Sequence, residues 1–474
     1  MCKGWTVAGR KSVAVLGGGV AGLTAADALT GDVDVTLIEL TGTVGGKLRS
    51  GELEGVQIDE GAESFLVRRP EAARLAENLG LPMVYPRAKG PDRGAYVLIG
   101  DRLRRLPTGT QLGIPGDLPM LAWSRVLAPH QLARVALERL IPRGPLKADQ
   151  SVGELVRKRM GRAVVERLVD PLMGGVYAGR ADGISVAAAL PFLYAAMRTE
   201  GSLLAAAQGL QAAAPPSDLA VFGSVDGGAD RLTNALAGRI LSSGGRVVLG
   251  SGALSIERDG TGWSVGLRDG NQNFDAVVVA TPAIAASKLL RSVAVGAADL
   301  LSEIEYANIG IVNLLYDVDQ VQSAAGFGYL VVERPGRVVK AVTFIPNKWQ
   351  HRVGLSTFLI RASVGRYGDT AALTMTDDEL IARVHAEVAP AAGLTARPRA
   401  AKVTRWGGAL PQYAPGHLDR VASIRAGLPA GIVVAGAAYD GVGIPACVGS
   451  GNAAADQVLR HLKHERNGGQ AQGA

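Results

Sequence analysis

Three glycines and one acid carry the first chemical signal. Gly17, Gly19 and Gly22 form a G-x-G-x-x-G pattern within SVAVLGGGVAG, and Glu39 lies downstream. Glycine at these positions lets the backbone turn sharply. It also admits a pyrophosphate to the start of the next helix, where unpaired N–H groups and the helix dipole favour negative charge. A carboxylate about 20 residues beyond the first glycine accepts from both ribose hydroxyls and disfavours a 2′-phosphate. The chemistry implied is binding of FAD or NAD rather than NADP. The elements that must position these residues are legible around them. An apolar run at 13–16 reads as a strand, 23–29 as a helix, and 33–38 as a second strand ending at the acid.

Composition narrows the class. The chain has 474 residues, enough for two or three domains, with 47% hydrophobic and 20% charged residues. That is an ordinary globular balance. The formal net charge of +7 serves solubility or attracts an acidic substrate or membrane surface. Basic clusters such as Arg102-Arg104-Arg105 and Arg157-Lys158-Arg159 lack interleaved aromatics, which argues against nucleic acid as a partner. Two cysteines far apart, Cys2 and Cys447, do not suit a disulfide framework, an iron–sulfur cluster or a C-x-x-C redox centre. The six histidines lack metal-ligand spacing, so no metal is expected. Residues 1–11 are too short for a signal peptide, and no stretch reaches the ~18–20 apolar residues of a membrane span. A cytoplasmic location is expected.

The pattern along the chain predicts an α/β (α+β overall) protein with a Rossmann-like dinucleotide-binding domain built from discontinuous segments. A mixed-sheet substrate domain and a helical insertion are spliced into it. The nucleotide domain takes 10–80, 212–290 and 403–465; the substrate domain takes 81–106 and 291–402; the insertion takes 107–211; 466–474 is a disordered tail. Residues 68–81 read as a helix opened by proline and closed by glycine, and 96–106 as a hairpin turning at Gly100-Asp101. Residues 212–218, AAAPPSD, read as a connector, 246–270 as a meander, and 376–388 as a helix with Asp377 and Asp378 in its first turn. The run FDAVVVAT at 274–281 reads as a buried strand beside the opening one. A buried strand, a glycine-rich turn and a helix close the chain.

Residues downstream of the opening motif decide between FAD and NAD. Gly45-Gly46-Lys47, then Gly55, Asp59, Gly61 and Phe65, with Ala280-Thr281-Pro282 and the C-terminal VVAGAAYDGVGIPACVGSG, resemble the flavoproteins of the amine oxidase and phytoene desaturase superfamily. Within it, GAESFLVRR, GGVYAGRADGISVAAALP, VDGGADRLTNAL, RWGGALPQYAPGH and YDGVGIPACVGSG are most similar to the oxygen-dependent protoporphyrinogen/coproporphyrinogen oxidases of haem synthesis. The match spans nearly the whole chain in order, and its GGK lysine and SFL-basic-basic run look like the soluble, Gram-positive-type branch.

The resemblance implies FAD contacts residue by residue. Gly17, Gly18, Gly19, Val20, Ala21 and Gly22 take the phosphates, and Glu39 with Leu40 the ribose. Lys47 and the turn Gly61, Ala62, Glu63 and Ser64 approach the flavin and its linker. The Ala253 backbone meets the adenine, Trp406 packs near the ring, and Val442, Gly443 and Ile444 form the last turn. Two positions depart from the pattern: Ala437-Ala438 replaces the usual Asn or Asp, and Ala253 a usual valine. Cys447 is read as structural.

The reaction implied is removal of six electrons from coproporphyrinogen III, giving coproporphyrin III, with O2 reoxidising the flavin to release hydrogen peroxide. Protoporphyrinogen IX is the alternative substrate, and an amine oxidase or phytoene desaturase-like enzyme a more distant one. Aromatisation drives the reaction, so no catalytic side chain is implied, in keeping with the lack of an acid–base or nucleophile motif. Gly179 matches the glycine whose carbonyl holds the pyrrole N–H groups. Arg68 and Arg69 are candidates to pair with propionates, Tyr177 to wall the pocket, and Lys89 and Arg93 are further cations. The resemblance also leaves open peripheral contact with a membrane and transient contact with the next haem-pathway enzyme.

Overall fold

The computed structural model describes residues 10–86, 94–141, 144, 146–213, 220–349 and 356–471, with side chains to 465. Lys89, Arg93 and most of the expected connector at 212–218 lie outside the described residues.

A five-stranded parallel sheet holds the two ends of the chain together. Ser12–Leu16 is its central strand, flanked by Asp34–Ile38 and Ala276–Val279, with Arg246–Val248 and Ile432–Val434 at the edges. The register pairs Val13 with Ala276 and Val277 with Ile432, so the expected association of the opening, middle and closing segments is observed. Unbroken apolar strands need cover on both faces. One face packs on the opening helix Val20–Leu29, the helix Asp230–Ser242 and the closing helix Ile444–Ala471, through Leu23, Leu236 and Val458. The other packs on the meander Ser255–Asp259, Gly262–Leu267 and Gly270–Phe274, whose Trp263 is buried, and on Ala283–Leu290.

The second sheet has seven strands, in the order Ala400–Pro411, Tyr306–Asp317, Thr357–Val364, Val339–Phe344, Gly328–Val331, Tyr96–Ile99 and Arg102–Arg105. All its pairings are antiparallel except Gly328–Val331 with Tyr96–Ile99. The helix Asp377–Ala392 covers one face with Leu380, Val384, Val388 and Ala392. Its start is fixed by a reciprocal cap: Thr376 Oγ1 accepts from Glu379 N–H (3.3 Å) and Glu379 Oε2 from Thr376 N–H (2.9 Å). On the opposite face Leu315 and Leu359 pack with Ile58, Ile345 and Trp349.

Between 118 and 213 helices dominate, with their own core of Leu155, Leu168, Met173, Leu193, Met197 and Leu204. Fully buried Glu138 ties them together, accepting from Ser202 Oγ (2.6 Å) and the N–H groups of Leu203 (2.9 Å) and Leu204 (3.2 Å) at the start of the helix Leu203–Ala213. Element ends differ from the sequence reading. The opening helix starts at Val20, because extended Gly19 serves as its N-cap; Asp377–Ala392 runs past 388 to the left-handed Gly393; and the closing helix continues to Ala471, across the tail boundary expected at 466. Among the described residues no helix is long and apolar enough to cross a membrane.

Candidate active site

The phosphate end is built by close backbone approach. A Cβ on Gly22 would stand 1.9 Å from the Gly17 carbonyl oxygen, so only glycine lets the helix start this near the turn. At Gly19 a Cβ would meet nothing within 4 Å, and the first-turn N–H groups of the helix face that open side. Val20 and Ala21 are buried beneath. Glu39 closes the far side: its Oε2 accepts from Gly18 N–H (2.6 Å), and its Oε1 from Thr41 N–H (2.8 Å) and Thr41 Oγ1 (2.7 Å). The carboxylate is thus oriented by the turn it would share with a ribose.

The backbone of Glu39 also holds the loop behind it. Its N–H donates to Val248 O (2.8 Å) and its carbonyl accepts from Ser251 N–H (3.1 Å), which brings 250–253 against exposed Leu40. No hydrogen bond among the described residues uses the Ala253 N–H or carbonyl. Both remain available at the place expected for the adenine. This open turn, oriented acid and free edge fit a dinucleotide.

The second glycine turn docks on the first through Gly45 N–H donating to Gly18 O (2.8 Å). Lys47 comes next, half-buried and without a partner among the described residues, and burial pushes its pKa down. The Lys47 carbonyl accepts from Ala62 N–H (3.1 Å), and a Cβ on Gly61 would lie 1.9 Å from it. Trp406 sits against Gly61, donates from Nε1 to Glu60 O (2.7 Å) and carries the Arg49 guanidinium 4.6 Å above its ring. Glu63 turns its side chain the other way, into ion pairs with Lys348 and Arg361, while its carbonyl accepts from Ser224 Oγ (2.7 Å). Ser64 Oγ accepts from Lys348 (3.2 Å). The Glu63 carboxylate therefore joins this turn to the second sheet, and only its backbone is left to face a cofactor.

At the chain's other end Gly443 (φ +99°) precedes the closing helix, and Cys447 N–H donates to its carbonyl (3.1 Å). A Cβ there would meet nothing within 4 Å, so the N-terminus of a 28-residue helix opens onto free space. Ile444 is buried in the nucleotide core, and Val442 packs on the helical insertion. Ala437, in the departing pair, offers its carbonyl to the Tyr413 hydroxyl. Cys447 is held at about 11 by burial, a poor nucleophile, as expected of a structural residue.

On the substrate side the sequence candidates separate. Arg69 lies 3.5 Å from where a Gly441 Cβ would be and pairs with Glu71 (2.9 Å). Its charge is felt at both Tyr177 and Cys447, while Cys447 and Lys47 act on each other. Lys47, Arg69, Tyr177 and the C-terminal turn therefore share one neighbourhood. Arg68 is exposed, with no bonded partner among the described residues, and is not brought there. Tyr177 is buried, its phenol pushed up to about 12, and meets Tyr413 edge-to-face at 5.7 Å. Gly179 is also buried. A Cβ there would lie 2.4 Å from Gln412 Oε1 and 3.1 Å from Ile184, and its carbonyl is unbonded among the described residues. Gln412 Nε2 in turn donates to Tyr177 O (2.9 Å).

Gln412 and Tyr413 lie inside the ALPQY motif, so a signal for them existed. Arg361, which donates to Gly61 O, and Lys340, buried on the neighbouring strand, carried none.

Comparison with known proteins agrees with this arrangement. The family of flavin containing amine oxidoreductases matches residues 20–459. A coproporphyrinogen III oxidase of Mycobacterium tuberculosis is 37% identical over 469 residues, covering 95% of this chain and 98% of that protein. One from Bacillus subtilis is 29% identical, covering 96% and 99%. A solved structure from Exiguobacterium sp. 255-15, named as a candidate protoporphyrinogen oxidase, superposes with a TM-score of 0.84 at 28% identity, covering 97% of this chain and 100% of that one. The match runs from the opening helix through the whole seven-stranded sheet into the closing helix, and on that ground the chain belongs to the flavin containing amine oxidoreductase family.

Proposed function

We propose that this protein oxidises coproporphyrinogen III to coproporphyrin III in haem biosynthesis, in the cytoplasm, with O2 as final electron acceptor and hydrogen peroxide as by-product. One observation carries the reading. The similarity to proteins named coproporphyrinogen III oxidase covers 95% of the chain at 37% identity, so it extends beyond the nucleotide-binding part to the parts that enclose the substrate side. FAD is the cofactor, and when bound it supplies the electron-accepting ring, so no side-chain nucleophile or strong base is required.

The chain's own residues bind and orient. First-turn N–H groups after Gly19 and the Glu39 carboxylate hold the nucleotide end. The helix N-terminus at Gly443 and the half-buried Lys47 place positive potential where negative charge would grow on the ring. The unbonded Gly179 carbonyl accepts from pyrrole N–H groups, which sets the macrocycle's tilt. Buried Tyr177 stays neutral across the working range, acts as a wall and excludes water from that face. Arg69 pairs with a propionate.

Anaerobic mixing of the purified yellow protein with coproporphyrinogen III tests the reading. Bleaching of the flavin band is expected, and its absence refutes the oxidase. Protoporphyrinogen IX is the second reading, favoured by the name of the Exiguobacterium structure. Initial rates of porphyrin fluorescence from the two substrates decide between them.

A further inference from the structure

A cavity of about 310 Å3 opens where the loop between strands Gly328–Val331 and Val339–Phe344 meets the end of Thr357–Val364. Its charged lining is Glu333, Arg334, Arg337, Lys340, Arg366 and Asp369, four cations against two carboxylates. The cations are not equally committed. Arg337 pairs with Asp101 (2.8 Å) and Arg366 with Glu333 (2.9 Å). Arg334 has no ion pair among the described residues. Lys340 is the unusual one: 6% exposed, with neither a hydrogen-bond nor an ion-pair partner among the described residues. It lines the cavity.

An ammonium buried without an anion is unfavourable, and burial together with Arg366 and Arg361 pulls Lys340 down to about 7. A carboxylate entering the cavity would remove that penalty. At this volume the space is at the small end of ligand pockets and suits an acidic side arm rather than a whole tetrapyrrole.

The cavity adjoins the substrate side of the candidate site. Glu333 accepts from Arg180 (2.7 Å), the residue directly after Gly179, as well as from Arg366. Arg366 Nη2 and the Gly179 carbonyl oxygen lie 3.8 and 3.9 Å from one point, the place a Gly174 Cβ would occupy. They can be no farther apart than those two distances together. A macrocycle whose N–H groups are held at Gly179 therefore has an acidic arm within reach of this pocket.

We propose that the cavity is the subsite for one propionate carboxylate of the tetrapyrrole, with Lys340 as its principal partner and Arg366 as support. This rests on the porphyrinogen reading of the site. Lys340 touches substrate and determines affinity; the bond-breaking step does not involve it.

The test uses the FAD-loaded enzyme. In K340M, KM for coproporphyrinogen III should rise about tenfold with kcat little changed, and K340R should recover most of the loss. Inorganic phosphate should inhibit the wild type competitively with porphyrinogen, and K340M much less. Wild-type inhibition that is absent or non-competitive overturns the proposal without any variant. An unchanged KM in K340M overturns it too; if phosphate inhibition is nonetheless lost, the pocket is a separate anion site. Should the wild type oxidise no porphyrinogen, the reaction reading fails on that result. Equilibrium binding of coproporphyrin III to wild type and K340M then still decides the subsite, since weaker binding by K340M supports it and equal binding overturns it.

Discussion

Replacing Gly22 by alanine tests the claim that the cofactor end is built by backbone approach. The added Cβ would stand 1.9 Å from Gly17 O, 3.2 Å from Gly17 C and 3.1 Å from Ala280 Cβ, none of them the end of a flexible side chain. Contact becomes ordinary only at 3.4 Å, so the helix must lift from the turn by the difference. Overpacking of this kind costs about 1–3 kcal/mol, and alanine's better helix propensity offsets up to about 1 kcal/mol. A net loss of roughly 1–2 kcal/mol is expected, with the first-turn N–H groups pushed into the space a pyrophosphate needs. Gly238 supplies the matched control. It sits exposed within Asp230–Ser242, where a Cβ would meet nothing within 4 Å, so G238A should stabilise by about 0.5–1 kcal/mol. Thermal unfolding of the flavin-free proteins and the FAD content of the purified ones measure both effects. G22A should melt below and G238A above the wild type, and G22A alone should lose flavin. A G22A protein with wild-type melting and full FAD would refute the reasoning.

Glu39→Gln keeps the shape but removes the charge that Gly18 and Thr41 orient. FAD affinity should fall about 10- to 100-fold by equilibrium titration, equivalent to ~1–3 kcal/mol, with the fold intact by circular dichroism. Arg69→Ala should raise KM for coproporphyrinogen several-fold while Arg68→Ala does not, because only Arg69 is brought beside the C-terminal turn; equal effects would show that the two are not distinguished by position. A carboxylate bound at Lys340 raises its pKa above the free value of about 7. The added affinity is thus full below pH 7 and is lost as pH rises past it. The other charged groups lining or facing that cavity are Arg334, Arg337, Arg361, Arg366, Glu333 and Asp369. KM should climb between pH 7 and pH 9 in the wild type and stay flat in K340M.

Features with a local steric or pairing cause were legible in the sequence. The opening unit was readable because Gly17 and Gly22 each answer a backbone contact, and the strand at 276–279 because unbroken valines demand cover on both faces. Legibility ended where side-chain direction depends on distant partners. Arg68 and Arg69 look equivalent as neighbours. In extended backbone, such as Arg69 has at φ −94° and ψ 110°, adjacent side chains point to opposite sides. Both are exposed, but only Arg69 reaches Gly441. Glu63 lies in the flavin-side turn by sequence, yet Lys348 and Arg361 draw its carboxylate to the other sheet. Lys340 had no motif at all, since its neighbours come from segments that only sheet pairing brings together, Thr343 opposite Arg361 and Ala341 opposite Ser363.

The opening motif and the turn at Gly443 stand more than 400 residues apart in sequence, yet one helix contact sets the distance between them. A Cβ on Gly451 would lie 2.3 Å from Ala21 O and 2.9 Å from Thr24 Cβ, so the closing helix touches the opening helix backbone-to-backbone at that point. Gly451 is the eighth residue of the closing helix, which begins at Ile444, so the position of Gly443 is set by the same contact that seats Ala21. Gly436 N–H donates to Ser450 Oγ (2.9 Å), and Ser450 donates to Asp440, which ties the intervening turn to the same helix. Phosphate end and ring end are therefore joined through one helix–helix contact. The substrate side is attached differently, through side chains: Glu63 to Lys348, Trp406 to Glu60, Tyr413 to Ala437.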